Sequence, residues 1–209
     1  MTHHFKYPRT LHLPQSQSVT SDDKMHRTLR QFEGIDVVIT EKMDGENTTI
    51  NSEGTHARSP DGRFHPSRAW MKQFASSISY KLSPHERICG EYLFARHSIP
   101  YENLQSYFYG FAWIVDDHIQ SWKDTVNRFD DLGIISVPVL YEGAYFEKLI
   151  GDTIEKMDVS RQEGFVIRAA SSFSLSDFSS YVGKFVRSNH VQTDTHWMYS
   201  EIIQNKLSI

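Results

Sequence analysis

A chain of 209 residues is long enough to bury one sizeable core and too short for more than two small domains. Hydrophobic residues make up 39% and charged residues 23%, the balance of a globular chain, and no apolar run of about 18 residues exists to span a bilayer as a helix. The formal charge of −4 excludes a protein that coats nucleic acid without specificity, because such binding rests on a surplus of Lys and Arg; a local basic groove stays open.

The first 18 residues lack the apolar core of a secretory signal, and with one cysteine, Cys89, no internal disulfide can form, so a cytoplasmic location is expected. Cys89 lies in an apolar strand-like run and reads as a buried structural thiol. The eleven histidines are scattered, without a Cys pair or an H-E-x-x-H pattern, and read as surface residues and not as a zinc site.

In chain order, residues 1–20 are rich in Pro, Ser, Gln and Thr and predict an irregular arm. Apolar runs at 35–39 and 48–50 predict two strands, with Glu41, Lys42, Asp44, Gly45, Glu46 and Asn47 between them. A turn-rich stretch around Pro60-Asp61-Gly62 follows, then a helix from a Ser67 cap to about Leu82, with Trp70, Phe74 and Ile78 at helical spacing; Pro84 ends it. Strands are predicted at 87–94 and 106–115, a helix at 121–133 closed by Gly133, and a strand at 134–143. A short helix at 145–153, strands at 163–170 and 179–188, and a C-terminal helix over 195–209 complete the chain. Strands outnumber helices without regular alternation, so the expected class is α+β, a single domain over 1–209 of mostly antiparallel sheets flanked by helices.

The charged segment at 41–47 is the first candidate for chemistry. A free lysine has a pKa near ~10.4, so a lysine that attacks an electrophile must be depressed by desolvation or by nearby positive charge. The end of an apolar strand offers desolvation to Lys42, and Gly45 permits a tight turn or close approach of a phosphate. Alone, K-x-D-G arises by chance in roughly one chain of this length in twenty, and a Lys–Asp pair in a polar hairpin turn explains it as well.

Five segments together carry a stronger message: "EKMDG" at 41–45, "HARSPDGR" at 56–63, "GEYLFARHS" at 90–98 followed by "YFYGFAWI" at 107–114, "EGFVIR" at 163–168, and "GKFVRSNHVQT" at 183–193. In this order they resemble the motifs of the ATP-dependent RNA ligases, which share the covalent nucleotidyltransferase superfamily with DNA ligases and mRNA capping enzymes. The resemblance implies a nucleotidyltransferase (ligase adenylylation) domain. It implies a reaction in which ATP, with Mg²⁺ or Mn²⁺, adenylylates a lysine, the AMP passes to an RNA 5′-phosphate, and a 3′-hydroxyl displaces it.

Carried over to this chain, the resemblance makes Lys42 the nucleophile, Asp44 an obligatory motif residue of undefined role, and Glu41 the reader of the adenine amino group. Asn47 matches a position that engages the donor 5′-phosphate of the RNA. Arg58 stands near ribose and phosphate, a task that suits the planar guanidinium fork. Glu91 matches the ribose carboxylate, Phe111 the ring that stacks on adenine, Glu163 a carboxylate ligand of the metal ion, and Lys184 a lysine on the α-phosphate. Arg168 stands where relatives carry a basic residue, and it is assigned with Arg187 to RNA contact. The chain departs from the pattern at Val186, where relatives often have a second lysine, with Arg187 next to it, and at Ala112, where some have an acid. Residues 185–209 are too few for an OB domain, so the domain is expected without one, with an end-healing or accessory partner open. Two alternatives stay in view: a DNA ligase or capping-type enzyme, and a silent RNA-end-binding module of the same fold.

Overall fold

The computed structural model describes residues 5–17, 23–58, 66–188 and 202–208. The predicted turn at 60–62, residues 189–193 of the last motif, and 195–201 and 209 of the expected C-terminal helix lie outside them. Twelve strands and four helices follow one another: β1 (Leu11–His12), β2 (Asp36–Lys42), β3 (Glu46–Asn51), β4 (Gly54–Ala57), α1 (Ala69–Ser79), β5 (Glu86–Tyr92), β6 (Phe108–Val115), β7 (His118–Ile119), α2 (Trp122–Leu132), β8 (Ile135–Ser136), β9 (Val139–Ala144), α3 (Leu149–Lys156), β10 (Gly164–Ala169), β11 (Phe173–Ser174), α4 (Phe178–Tyr181) and β12 (Val182–Val186).

They form two sheets, ordered β1-β12-β10-β2-β9 and β11-β7-β6-β5-β3-β4, with β8 added on β6. Every pairing is antiparallel except β1 with β12 and β6 with β8. This is the α+β arrangement that the strand-rich pattern predicts. Both faces of β2 are covered, Val38 entering the core with α1 and α2 and Val37 and Ile39 the core with α3; all three are fully buried, which accounts for an unbroken apolar run in place of alternation. One core packs α1 and α2 on the second sheet, around Ile78, Ile88, Phe108 and Phe129. Another packs the first sheet against α3, around Phe32, Ile39, Phe165 and Phe185. Each such side chain contributes about 1.5–3 kcal/mol by leaving water.

The segment after Lys42 is not a hairpin. β2 and β3 belong to different sheets, and Met43–Gly45 carry the chain across. The crossing is tight, because a Cβ on Gly45 would sit 2.5 Å from the Tyr92 carbonyl oxygen and 2.7 Å from a Leu93 methyl. Gly164 is equally constrained: a Cβ there would meet the Phe185 carbonyl oxygen at 1.9 Å. Both glycines exist for close backbone approach.

Four local expectations change. Ser67 does not cap α1; it lies in a 3-10 turn, buried, where its carbonyl accepts the Tyr92 hydroxyl. Val137-Pro138 splits the predicted strand at 134–143 into β8 and β9, proline having no N–H for a ladder. The strand expected from residue 179 begins only at Val182, after α4. Residues 202–208 are not helical, and bridge to Ala95 through Gln204 and to Leu104 through Leu207. Asn205 explains why: its Nδ2 donates to the Leu93 carbonyl at 2.8 Å, its Oδ1 accepts from the Tyr101 N–H at 3.0 Å, and its carbonyl accepts the Tyr107 hydroxyl. These cross-chain bonds hold the backbone extended where helical periodicity alone suggested a turn of helix. As predicted, α2 is closed by Gly133, at φ 69°; its N-cap is Ser121, whose hydroxyl accepts from Asp124 N–H.

Candidate active site

A cleft of about 360 Å³ opens between the two sheets. Strand register decides what faces it. Gly164 is paired with Lys42, which sets Glu163, the residue before β10, beside the end of β2. Lys42 Nζ donates to Glu163 Oε2 at 2.5 Å. Lys184 on β12 is level with Val166 on β10 and, through it, Thr40 on β2, and all three line the cleft. From the second sheet, Asn47 on β3 is paired with Glu91 on β5, and both face the same space.

Phe111 reaches the cleft through a bulge. Cys89 pairs with Ala112 but Gly90 with Gly110, leaving Phe111 as an extra residue on β6. Before the bulge, Phe108 and Gly110 face the helices, with Phe108 5.8 Å from the Phe74 ring and Gly110 against Phe129. After it, Trp113 faces that way, under the Arg128 guanidinium. The two-residue alternation holds as far as Phe111, which therefore faces away from the helices and toward the cleft, its ring 5.1 Å from Tyr7, and shifts by one after it.

The electrostatics differ from the simplest expectation at Lys42. Burial is the largest influence and pushes its amine down, but the Glu163, Glu91 and Asp44 carboxylates together outweigh it, so the net shift is upward. In the ligand-free protein Lys42 is held as an ammonium. Burial raises the Glu91 carboxyl most; Lys42 opposes, Glu163 and Asp44 add, and the result is about 8. Its Oε1 accepts from Gly45 N–H at 3.2 Å. Lys184 moves the other way, lowered by burial and by the charge of Lys42, with Asp23 and Glu163 opposing. Glu41 is raised by burial, and a bond from Gln162 Nε2 at 3.2 Å fixes its carboxylate.

Of the residues singled out from sequence, Glu41, Lys42, Asn47, Arg58, Glu91, Phe111, Arg168 and Lys184 line the cleft, and Glu163 stands behind Lys42. Asn47 Oδ1 is buried without a hydrogen-bond partner among the described residues, and Asn47 lines the cleft. Asp44 is outside the cleft lining: its Oδ2 accepts from Ser98 N–H, Ser98 hydroxyl and Ile99 N–H at 2.8, 2.6 and 2.9 Å, while its own N–H donates to the Tyr101 hydroxyl. Asp44 therefore pins the loop after β5 beneath the Lys42 crossing.

The two arginines assigned to RNA are placed differently from that expectation. Arg168 is only 5% exposed; its Nη2 donates to the Gln120 carbonyl at 2.6 Å and its guanidinium lies over Trp122 and Phe173. Burial lowers it to about 10. A group enclosed in this way floors the cleft and cannot serve as an exposed RNA contact. Arg187 turns away, donating to the Gln162 and Ser188 carbonyls, and is outside the cleft lining.

Sequence reasoning missed one wall. Tyr7, Pro8, Arg9 and Thr10 of the supposed irregular arm line the cleft, with Asp23 beside them. Arg58 Nε donates to the Tyr7 carbonyl at 2.9 Å, and β1 pairs with β12. The aromatic pair Phe5 and Tyr7, interleaved with Lys6 and Arg9, was the available signal. Among the described residues no three His, Cys, Asp or Glu side chains are grouped to hold a metal ion by themselves.

Comparison with known proteins agrees with this geometry. An archaeal ATP-dependent RNA ligase superposes with a TM-score of 0.60 at 17% identity, over 88% of this chain and 48% of that one. A putative ATP-dependent DNA ligase from Aquifex aeolicus gives 0.54 at 19%, over 77% and 46%. An alanine variant of a Naegleria gruberi RNA ligase, solved with ATP and Mn, gives 0.52 at 15%, over 76% and 52%. No curated protein sequence matches the chain. The fold is that of the nucleotidyltransferase domain of polynucleotide ligases, and the chain spans about half the length of the solved structures it matches. The RNA ligase family model matches residues 35–186, and the chain belongs to that family.

Proposed function

We propose that this chain is the catalytic nucleotidyltransferase unit of an ATP-dependent RNA ligase, joining RNA 5′-phosphate and 3′-hydroxyl ends through lysyl-AMP and an adenylated RNA end. The observation that carries the reading is the convergence of Lys42, Glu91, Phe111 and Lys184, from four strands of two sheets, on one cleft of nucleotide size.

In this reading adenine stacks on Phe111 with Glu41 on its amino group, and Glu91 meets the ribose hydroxyls. The Lys42 amine, once deprotonated, attacks the α-phosphorus; the P–N bond forms, the bond to the β-phosphate oxygen breaks, and pyrophosphate leaves. Lys184, on β12 and lining the same cleft, steadies the charge that grows on the α-phosphate. In the second transfer an RNA 5′-phosphate oxygen attacks the α-phosphorus and displaces the lysine, with the Asn47 side-chain N–H as a donor to that phosphate. In the third, a 3′-hydroxyl oxygen attacks the activated phosphorus, its proton is lost and AMP leaves.

An oxygen-rich setting of Glu163, with phosphate oxygens and water, suits Mg²⁺ or Mn²⁺. The chemistry such an ion supplies is neutralisation of phosphate charge and competition for the carboxylate that keeps Lys42 protonated. Among the described residues no helix is long and apolar enough to cross a membrane.

The test is sealing of an RNA strand with a 5′-phosphate to one with a 3′-hydroxyl, in ATP and Mg²⁺. A sealed product that depends on Lys42 is expected. RNA binding without sealing, in the wild-type chain, would favour the silent end-binding module; transfer from GTP in preference to ATP would favour a capping-type enzyme.

A further inference from the structure

The N-terminal wall has chemistry that the motifs do not use. From Tyr7, against the Phe111 ring, the chain runs past Arg9 and Thr10 to His12 on β1. His12 is paired with Lys184 across the parallel β1–β12 ladder, so the two side chains share a face. Asp23 closes the set: Arg9 Nη2 donates to its Oδ1 at 3.1 Å, and His12 Nε2 is 3.6 Å from its Oδ2. The segment therefore runs from beside the ring that meets the base to beside the lysine on the α-phosphate.

We infer that Arg9 binds the β- and γ-phosphates of ATP and the pyrophosphate they become, with Asp23 as its counter-ion when the cleft is empty. This rests on reading the chain as a lysine-adenylylating ligase. Three observations carry it. Arg9 lines the same cleft as Lys42 and Lys184, whereas Arg187 turns out of it. Its side chain is half exposed, at 52%, and held by one carboxylate, so it can exchange that partner for a phosphate without unfolding anything. Lys42 and Lys184 are already assigned to the α-phosphate, and Arg9 reaches Asp23, which also faces His12 beside Lys184, so a further cation stands next to that lysine for the phosphates that follow. A guanidinium fork can hold two oxygens of the leaving group as its charge grows. His12, closed in beside Lys184, fills the space between the two cations as a neutral ring, bonded through Nδ1 to Ser16 Oγ at 2.7 Å.

The experiment compares binding of AMP and of α,β-methylene ATP, which cannot transfer its nucleotidyl group, to wild type, Arg9→Ala and Arg9→Lys, with Mg²⁺ present. Arg9→Ala is expected to weaken the ATP analogue about tenfold or more and AMP by less than about twofold, the loss of one charge-assisted contact confined to the outer phosphates. Arg9→Lys should recover part of the loss, since it keeps the charge but not the fork. Inorganic pyrophosphate should attack the adenylylated lysine and regenerate ATP and the free lysine more slowly in Arg9→Ala than in wild type. Equal weakening of both nucleotides, or of neither, would overturn the inference, as would weakened RNA binding with both nucleotides unaffected, which would place Arg9 on the RNA strand. Failure of the wild type to bind either nucleotide would overturn the reading of the cleft and the inference with it.

Discussion

At Arg168 a full positive charge lies inside the protein against aromatic faces and carbonyl oxygens, with no carboxylate in hydrogen-bond reach among the described residues. Its place in the motif reads as basic and therefore as an RNA contact, because sequence shows the charge of a residue and not its depth. Depth is decided by what packs over the face of β10 that carries it, the Gln120 carbonyl and the Trp122 and Phe173 rings. We predict that Arg168→Ala lowers stability by about 2 kcal/mol or more, through the lost charged hydrogen bond and ring contacts, as read by urea denaturation. Unchanged stability, with a smaller salt dependence of RNA binding, would return Arg168 to the surface role. Asp44 is a similar case. Its position in K-x-D-G is legible, but its three partners come from Ser98 and Ile99, more than fifty residues away, and no local pattern points to them.

At the scale of elements, β1 is the least legible part of the molecule and the one that completes the site. Two residues in a Pro- and Ser-rich arm make no periodic pattern, so the parallel pairing with β12 could not be read. That pairing buries His12, which burial, Lys184, Lys42 and Arg9 lower to about 4 against the opposing Asp23. Above an ordinary histidine pKa of about 6.5 the ring is neutral in both folded and unfolded chains and carries no pH dependence. Between about 6.5 and about 4 the unfolded chain takes up a proton that the folded one refuses, so the ring's contribution to stability should fall as pH falls through that window. Glu91, raised to about 8, acts in the opposite sense over the same range in both proteins, so the test is a difference: from pH 7.5 to 4.5 the denaturation midpoint of the wild type should fall relative to that of His12→Gln. A difference that stays constant over this range would show that His12 is not held neutral between β1 and β12. The central strands were legible for the opposite reason: β2, β5, β6 and β10 are long, apolar and bounded by turn residues.

At the scale of the whole molecule, the site exists because one chain crosses between two sheets at Met43–Gly45 and returns to the first sheet at β10 and β12. The order of the five segments in sequence announced the family, and with it the fold class. What the order could not announce was where each side chain meets its partner, since the Lys42–Glu163 pair, the Phe111 bulge and the Tyr7 wall each depend on register between distant strands. The Lys42 amine is the sharpest example: a nucleophile was expected with a depressed pKa, and the ligand-free protein holds it raised, by carboxylates that a bound cation would compete for. The central claim is that this lysine becomes covalently adenylylated. The most direct measurement is intact mass after incubation with ATP and Mg²⁺ in the absence of RNA. A gain of one AMP in the wild type, absent in Lys42→Ala, is the predicted result; an unmodified wild type, or an AMP adduct that persists in Lys42→Ala, would contradict it.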